Sequence, residues 1–368
     1  MEISKIDRNF AAAEVIEDGF VFRNVSAEPF SLEGLAWRQE NEAAGRLYYR
    51  LPAHFTTKDA SRDAIEGIAN QTAGVCVRFR SDSPELTLRA TLAYGCDMNH
   101  MPRTGSCGFD AYCRQPGDSR IVYHRSIQPD RDQAEITSLF GINSTGQLCD
   151  WQVNFPLYGG VSKVEIGVKP GSQLLPPTPH RVGRPLVFYG SSITQGGCAS
   201  RPGNAYTTML CRRLDAEQIN LGFSGNGLGE PSVARAIAKL KMAAFVMDYD
   251  YNAPTPEHLE ATHEKFFQII RQEQPELPII VLSKCDFYND NCGGSALRRE
   301  IIRKTCRHAA DAGDEKVYFI DGETLFAGPL RDDCTVDRCH PNDLGFYRMH
   351  EHILPVLCQA LGLQMPPE

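Results

Sequence analysis

The second half of the chain carries five short apolar runs, PLVFYG (185–190), QINLGFS (218–224), AAFVMDYD (243–250), PIIVLSK (278–284) and KVYFIDG (316–322). They are rich in branched and aromatic residues, and each is too short for a helix. Apolar runs without alternation are what strands buried on both faces need. Helical spacing follows each run: AYTTMLCRRL (205–214), PSVARAIAKLK (231–241), TPEHLEATHEKFFQIIRQE (255–273), SALRREIIRKTCRHAAD (295–311) and NDLGFYRMHEHILPVL (342–357). Neighbouring parallel strands must be joined by a crossover over one face of the sheet, so this alternation specifies helices on both faces. We expect a flavodoxin-like, doubly wound parallel sheet of five strands, with its ligands at the carboxyl ends of those strands.

The first half reads differently. Between residues 20 and 169, GFVFRNV, RLYYRLP, GVCVRFRS, LTLRATLAY, RIVYHRSI, WQVNFPL and VSKVEIGVK alternate or run apolar with turn residues between them. Many short strands with few helical windows predict a β-sandwich, jelly-roll-like in its length and spacing. KPGSQLLPPTPHRVGRP (169–185) is dense in Pro and Gly and reads as a surface linker. The expected division is residues 1–178 for the sandwich and 179–368 for the α/β domain.

Composition limits the partners. The chain has 368 residues with a formal charge of −8 and no long Lys/Arg tract, so nucleic acid is not expected. No window approaches the apolar length of a membrane span. MEISKIDRNFAAAEV has no apolar core behind a basic start, and the 13 cysteines are scattered. Both point to reduced thiols and a cytoplasmic protein.

The predicted strand ends gather a distinctive set. The first run ends in Gly190-Ser191-Ser192, the second leads into Ser224-Gly225-Asn226, the third into Asp250-Tyr251-Asn252, and TVDRCHPNDLG (335–345) precedes the last helix. Acyl transfer requires such parts. A serine hydroxyl is a weak nucleophile until an imidazole takes its proton, and an acid must hold that imidazole. The oxyanion needs fixed N–H donors. Ser192, His340 and Asp337 fit the first three roles. The Ser192 and Gly225 backbones and the Asn252 amide fit the oxyanion hole.

These four blocks resemble the GDSL, or SGNH, hydrolase superfamily of serine esterases. The resemblance covers residues 185–358 and implies Ser192 as nucleophile, His340 as base, Asp337 as its partner, and Gly225 and Asn252 as oxyanion donors. In the first half, RLP (50–52), AGVCVRF (73–79) and GFDAY (108–112) resemble the β-rich module with a Gly-x-Asp-Leu-Tyr signature that precedes some of these esterases. Proteins of this build are similar to bacterial carbohydrate esterases. The resemblance therefore implies hydrolysis of short acyl esters, acetyl foremost, on a small-molecule or oligosaccharide substrate, with no cofactor. It also places His100, Met101 and Asp110 as candidate substrate-binding residues. The sequence departs from the pattern at Ser191, Ala253 and Ala111, where Asp, Asp and Leu are usual.

Competing readings are weaker. Ser191, Ser192 and Thr194 could simply cap a helix, but His340 and Asp337 fall on the same rim; Ser191 is then the expected cap. DYDYNAPTPEHLE (248–260) starts like a calcium loop but lacks its glycine and its bidentate glutamate. Cys334, Cys339 and His340 do not form a zinc set, since no Cys-x-x-Cys pair exists. Gly225 lies in a glycine-rich stretch without dinucleotide-fingerprint spacing. A lysophospholipase or thioesterase of the same fold, or a catalytically silent carbohydrate-binding protein, are the alternative functions. Oligomeric state is not legible.

Overall fold

The computed structural model describes residues 16–55, 64–288 and 293–366; the N-terminal stretch read above as lacking a leader lies outside them. In the second half, five strands form one parallel sheet: β1 (Val182–Gly190), β2 (Ala216–Gly222), β3 (Ala244–Asp248), β4 (Ile279–Leu282) and β5 (Val317–Ile320). Their spatial order is β2-β1-β3-β4-β5, which puts the reversal of winding at β1. The register is what positions the site. Gly190 at the end of β1 lies opposite Gly222 on one neighbour and Asp248 on the other, so three strands finish at one level.

Alternation within the strands feeds two cores. Leu186, Phe188 and Val246 face the helices Tyr206–Leu214 and Asp343–Leu361, burying Leu210, Phe346 and Ile353. Val187, Tyr189 and Phe245 face the helices Pro231–Ala238, Pro256–Glu273 and Ser295–Asp311, burying Val233, Phe266 and Ile302. The sheet is doubly wound.

The first half contains two antiparallel sheets. One has the order Ile16–Glu17, Phe20–Asn24, Gly160–Val168, Glu85–Tyr94, Glu135–Ile142. The other has the order Leu174–Leu175, Cys76–Ser81, Cys149–Asn154, Phe109–Arg114, Val122–Ile127, with Ser31–Glu33 also paired to Cys76–Ser81. Phe79, Leu88, Phe109, Trp151 and Ile166 fill the core between them.

One expected strand needs correction. RLYYRLP is not a strand: residues 46–52 form irregular backbone, and its apolar residues are divided between two bodies, with Leu47 and Tyr48 on the sandwich core. Tyr49 and Leu51, with Phe55, Ile65 and Ala69 beyond, join the second core of the parallel sheet. The Asn41 amide donates to the Tyr49 and Leu51 carbonyls at 2.7 and 2.9 Å, doing the work of a sheet partner. Arg50, fully buried, sends its guanidinium to the carbonyls of Gln71, Ile68, Asn220 and Gly222 at 2.6–3.0 Å. It thereby ties the first half to the last turn of β2. The Pro-rich segment does run over the surface, and it is tied down there. Arg78 and Arg80 hold the Thr178 and Pro176 carbonyls at 2.8 Å each. His180 bridges Glu33 and Asp215 at 2.9 and 2.8 Å.

Candidate active site

The nucleophile turn is shaped by what β1 meets at its end. Gly190 lies where any Cβ would collide with Thr194 Oγ1 and the Asp248 carbonyl, so only glycine lets the chain turn there. Ser191 then takes an extended conformation, and its hydroxyl accepts from Ile193 N at 3.1 Å as the cap of the short helix Ser192–Gln195. Ser192 is the first residue of that helix and is 7% exposed. Its Oγ lies 2.9 Å from His340 Nε2.

His340 arrives on a tight loop. Thr335 and Pro341 bridge to each other, and Val336 N donates to the His340 carbonyl at 3.0 Å. Inside the loop, Asp337 Oδ1 accepts from the backbone of Cys339 and His340 at 3.0 and 2.7 Å, and Oδ2 lies 2.7 Å from His340 Nδ1. A carboxylate on Nδ1 fixes the tautomer whose Nε2 lone pair points at Ser192. Partial burial pushes the Asp337 carboxyl up, but the N–H groups of His340 and Cys339 and the imidazole's charge outweigh it, leaving the acid below its ordinary range. Asn342 caps the final helix by accepting from Gly345 N at 3.1 Å.

Gly225 and Asn252 come from the loops after β2 and β3. Gly225 sits at φ 68°, the left-handed region where a side chain is strained. Asn252 Nδ2 donates to the Phe223 carbonyl at 2.9 Å, which ties the two loops together. An amide carries two hydrogens, so one donor is fixed in place while the other is available. Asp250 is no cation ligand: the Arg298 guanidinium meets it at 3.1 Å and Lys284 N donates to it at 3.0 Å, with both carboxylate and guanidinium buried.

One feature of the site was not visible in the sequence. Beneath the nucleophile turn, Asp248 Oδ2 accepts from Tyr206 OH at 2.8 Å and Thr194 Oγ1 at 3.1 Å. Burial pushes its carboxyl up to about 7, against the pull of the two hydroxyls. Thr194 and Tyr206 read as ordinary helix residues, and nothing in their spacing predicts a shared acid.

The first-half candidates divide. His100 is exposed, and its ring centroid lies 5.5 Å from that of His340. Met101 is buried in the first core of the parallel sheet and offers no surface to a substrate. Asp110 is fully buried, accepting from Asn154 Nδ2, Arg201 Nη1 and Gly203 N at 2.8 Å each. It anchors the loop that follows the nucleophile rather than facing the rim.

A serine, a histidine and an aspartate in line at the carboxyl edge of a flavodoxin-like sheet define a carboxylic ester hydrolase. Residues 183–358 match the GDSL-like lipase/acylhydrolase family and residues 20–174 match the N-terminal family of SGNH hydrolase-type esterases, so each half of the chain carries a domain of this group of esterases. Among solved structures, a Bacteroides ovatus protein described as a GDSL-like lipase is 26% identical with a TM-score of 0.82, covering 95% of this chain and 100% of its own. The salicylyl-acyltransferase SsfX3 of a tetracycline biosynthetic pathway is 20% identical with a TM-score of 0.71 over the same shares. A family two carbohydrate esterase from Clostridium thermocellum, solved with cellohexaose, is 16% identical with a TM-score of 0.53, covering 79% of this chain and 93% of its own. The last two likenesses concern the fold. No curated protein matches.

Proposed function

We propose that the chain hydrolyses short acyl esters, acetyl foremost, carried on carbohydrate, through an acyl-enzyme on Ser192. The observation that carries the reading is the unbroken line from Ser192 Oγ to His340 Nε2 at 2.9 Å and from His340 Nδ1 to Asp337 at 2.7 Å. Ser192 Oγ attacks the ester carbonyl as its proton passes to Nε2. The Asp337 carboxylate steadies the imidazolium that forms. The oxyanion takes hydrogen bonds from the Ser192 and Gly225 backbones and the free Asn252 amide hydrogen. Collapse breaks the C–O bond, and the Nε2 proton leaves with the alcohol. Water then repeats the sequence with His340 as base and releases the acid.

The backbone at Gly197 packs closely against Tyr158 OH, the Ser192 carbonyl and the His340 ring. His100 extends from the first half beside His340, so that half borders the site. The carbohydrate esterase structure solved with cellohexaose favours a sugar as the alcohol.

The test is a panel of 4-nitrophenyl acetate, butyrate and octanoate, then acetylated xylan and glucose pentaacetate. Acetate should lead the chain-length series, and the acetylated sugars should be hydrolysed. Octanoate turning over fastest would favour the lysophospholipase or thioesterase reading. No turnover on any ester would favour the silent sugar-binding one. Ser192→Ala should lower kcat by about four decades or more, while Ser191→Ala keeps most activity.

A further inference from the structure

We propose that His100, Cys198 and His340 form a binding site for a thiophilic divalent cation of the zinc class, and that its occupation switches the enzyme off. The switching rests on the reading of His340 as the base; the binding does not. The donor atoms of the three side chains all lie within 4.8 Å of one another. They come from three distant segments: a loop of the first half, the loop following the nucleophile, and the loop before the last helix.

Their chemistry selects the ion. One thiol and two imidazoles suit zinc, cobalt or copper, whereas calcium and magnesium call for oxygen donors. Zn–N bonds of about 2.0–2.1 Å and a Zn–S bond of about 2.3 Å put tetrahedral donors roughly 3.3–3.7 Å apart, so closure needs movement of about an ångström. His100 is exposed and can supply it, while Cys198 is 4% exposed and already held against the site. Asp337 occupies His340 Nδ1, leaving Nε2 for a metal. A carboxylate behind a ligating histidine is the usual outer support of a metal site. Three protein ligands would leave a fourth position open.

The consequence follows from one lone pair. His340 Nε2 meets Ser192 Oγ at 2.9 Å, and a bound cation would take the same electrons. A cation on Nε2 and a serine proton on Nε2 exclude each other, so the metal acts as a reversible inhibitor competing with turnover.

The test begins with metal-free protein. One equivalent of Zn²⁺ per chain should abolish ester turnover, a chelator should restore it, and Mg²⁺ or Ca²⁺ should have no effect. Cys198→Ser should keep its metal-free turnover yet need at least 10-fold more Zn²⁺, since loss of outer-shell partners alone costs about 10–100-fold in metal affinity. A readout that needs no catalysis is Co²⁺ bound to Ser192→Ala. It should show a thiolate-to-cobalt absorption band that disappears in Ser192→Ala/Cys198→Ser and weakens in Ser192→Ala/His100→Ala. Equal Zn²⁺ inhibition of wild type and Cys198→Ser, or no cobalt–thiolate band, overturns the site. A cobalt band in a protein that hydrolyses no ester would uphold the site and sink the catalytic reading instead.

Discussion

Two aspartates flank the turn that carries Ser192, one at its rim and one under its floor, and their surroundings push them in opposite directions. Asp337, on the rim, has two backbone N–H donors on Oδ1 and the His340 imidazole on Oδ2, which together hold it below the ordinary carboxylate range despite partial burial. Asp248, below, is buried, accepts from the hydroxyls of Thr194 and Tyr206, and is pushed up to about 7 by burial. Hydroxyls can satisfy a protonated acid as readily as an ionised one, whereas an imidazole gains most from the anion. The same side chain thus serves as a charge where a cation must form, and as a near-neutral brace where the turn must stay rigid.

The comparison breaks most visibly at Asp337. Asp337→Asn keeps the shape, removes the charge and can hold the ring in the wrong tautomer; the corresponding change costs serine proteases about 10⁴ in kcat. We expect a loss of that order, with thermal stability little altered. Because the Asp337 pKa is depressed, the acid is ionised throughout the neutral range. Its own protonation should therefore add no limb to kcat above about pH 4. Near wild-type turnover in Asp337→Asn would leave a Ser192–His340 dyad and reduce the rim acid to a structural residue.

Asn252, on the rim beyond the strand that carries Asp248, should show an intermediate effect. Asn252→Ala is expected to lower kcat by about 10²–10³ with little change in KM, the usual cost of one oxyanion donor. A value within a few-fold of wild type would assign that donor elsewhere.

Asp248→Asn should matter least to turnover, a few-fold in kcat, and most to the pH dependence of folding. An acid whose pKa is raised in the folded state binds its proton more tightly there. Wild type therefore loses stability as pH rises from about 4 to about 7 and is level above. Asp248→Asn lacks that contribution, so its melting temperature should overtake that of wild type across this window. The difference is on the order of 4 kcal/mol at full ionisation, from a shift of roughly three pKa units. Parallel melting curves at all pH values would show that Asp248 is ionised like Asp337 and erase the contrast.

The rim was readable from sequence because each of its parts follows a strand end, and strand ends converge in a parallel sheet. Ser192, Gly225 and Asn252 follow β1, β2 and β3, and the Asp-x-x-His spacing brings its own geometry. The floor was not readable, because Asp248 acquires its state from Thr194 and Tyr206, partners that no period links to it. In the first half, the sandwich emerged from alternation. RLYYRLP alternates as well, yet Tyr49 and Leu51 pack on the other half while Leu47 and Tyr48 stay with the sandwich, and periodicity says nothing about which body a face will meet. Met101 and Asp110 were misjudged for a related reason: proximity to a signature does not tell whether a side chain faces solvent or core.

That misplaced stretch also sets the order of events as the chain is made. Tyr49, Leu51, Phe55 and Ile65 leave the ribosome early, but β2, whose end supplies the carbonyls that Arg50 holds, is synthesised roughly 170 residues after Arg50. At about 5–20 residues per second, that interval lasts on the order of 10–30 s. For that time the nascent first half carries a strip of aromatic and aliphatic side chains with no partner, beside an arginine whose carbonyl acceptors in β2 do not yet exist. This strip stays uncovered, and prone to association with other chains, until the second half arrives to claim it.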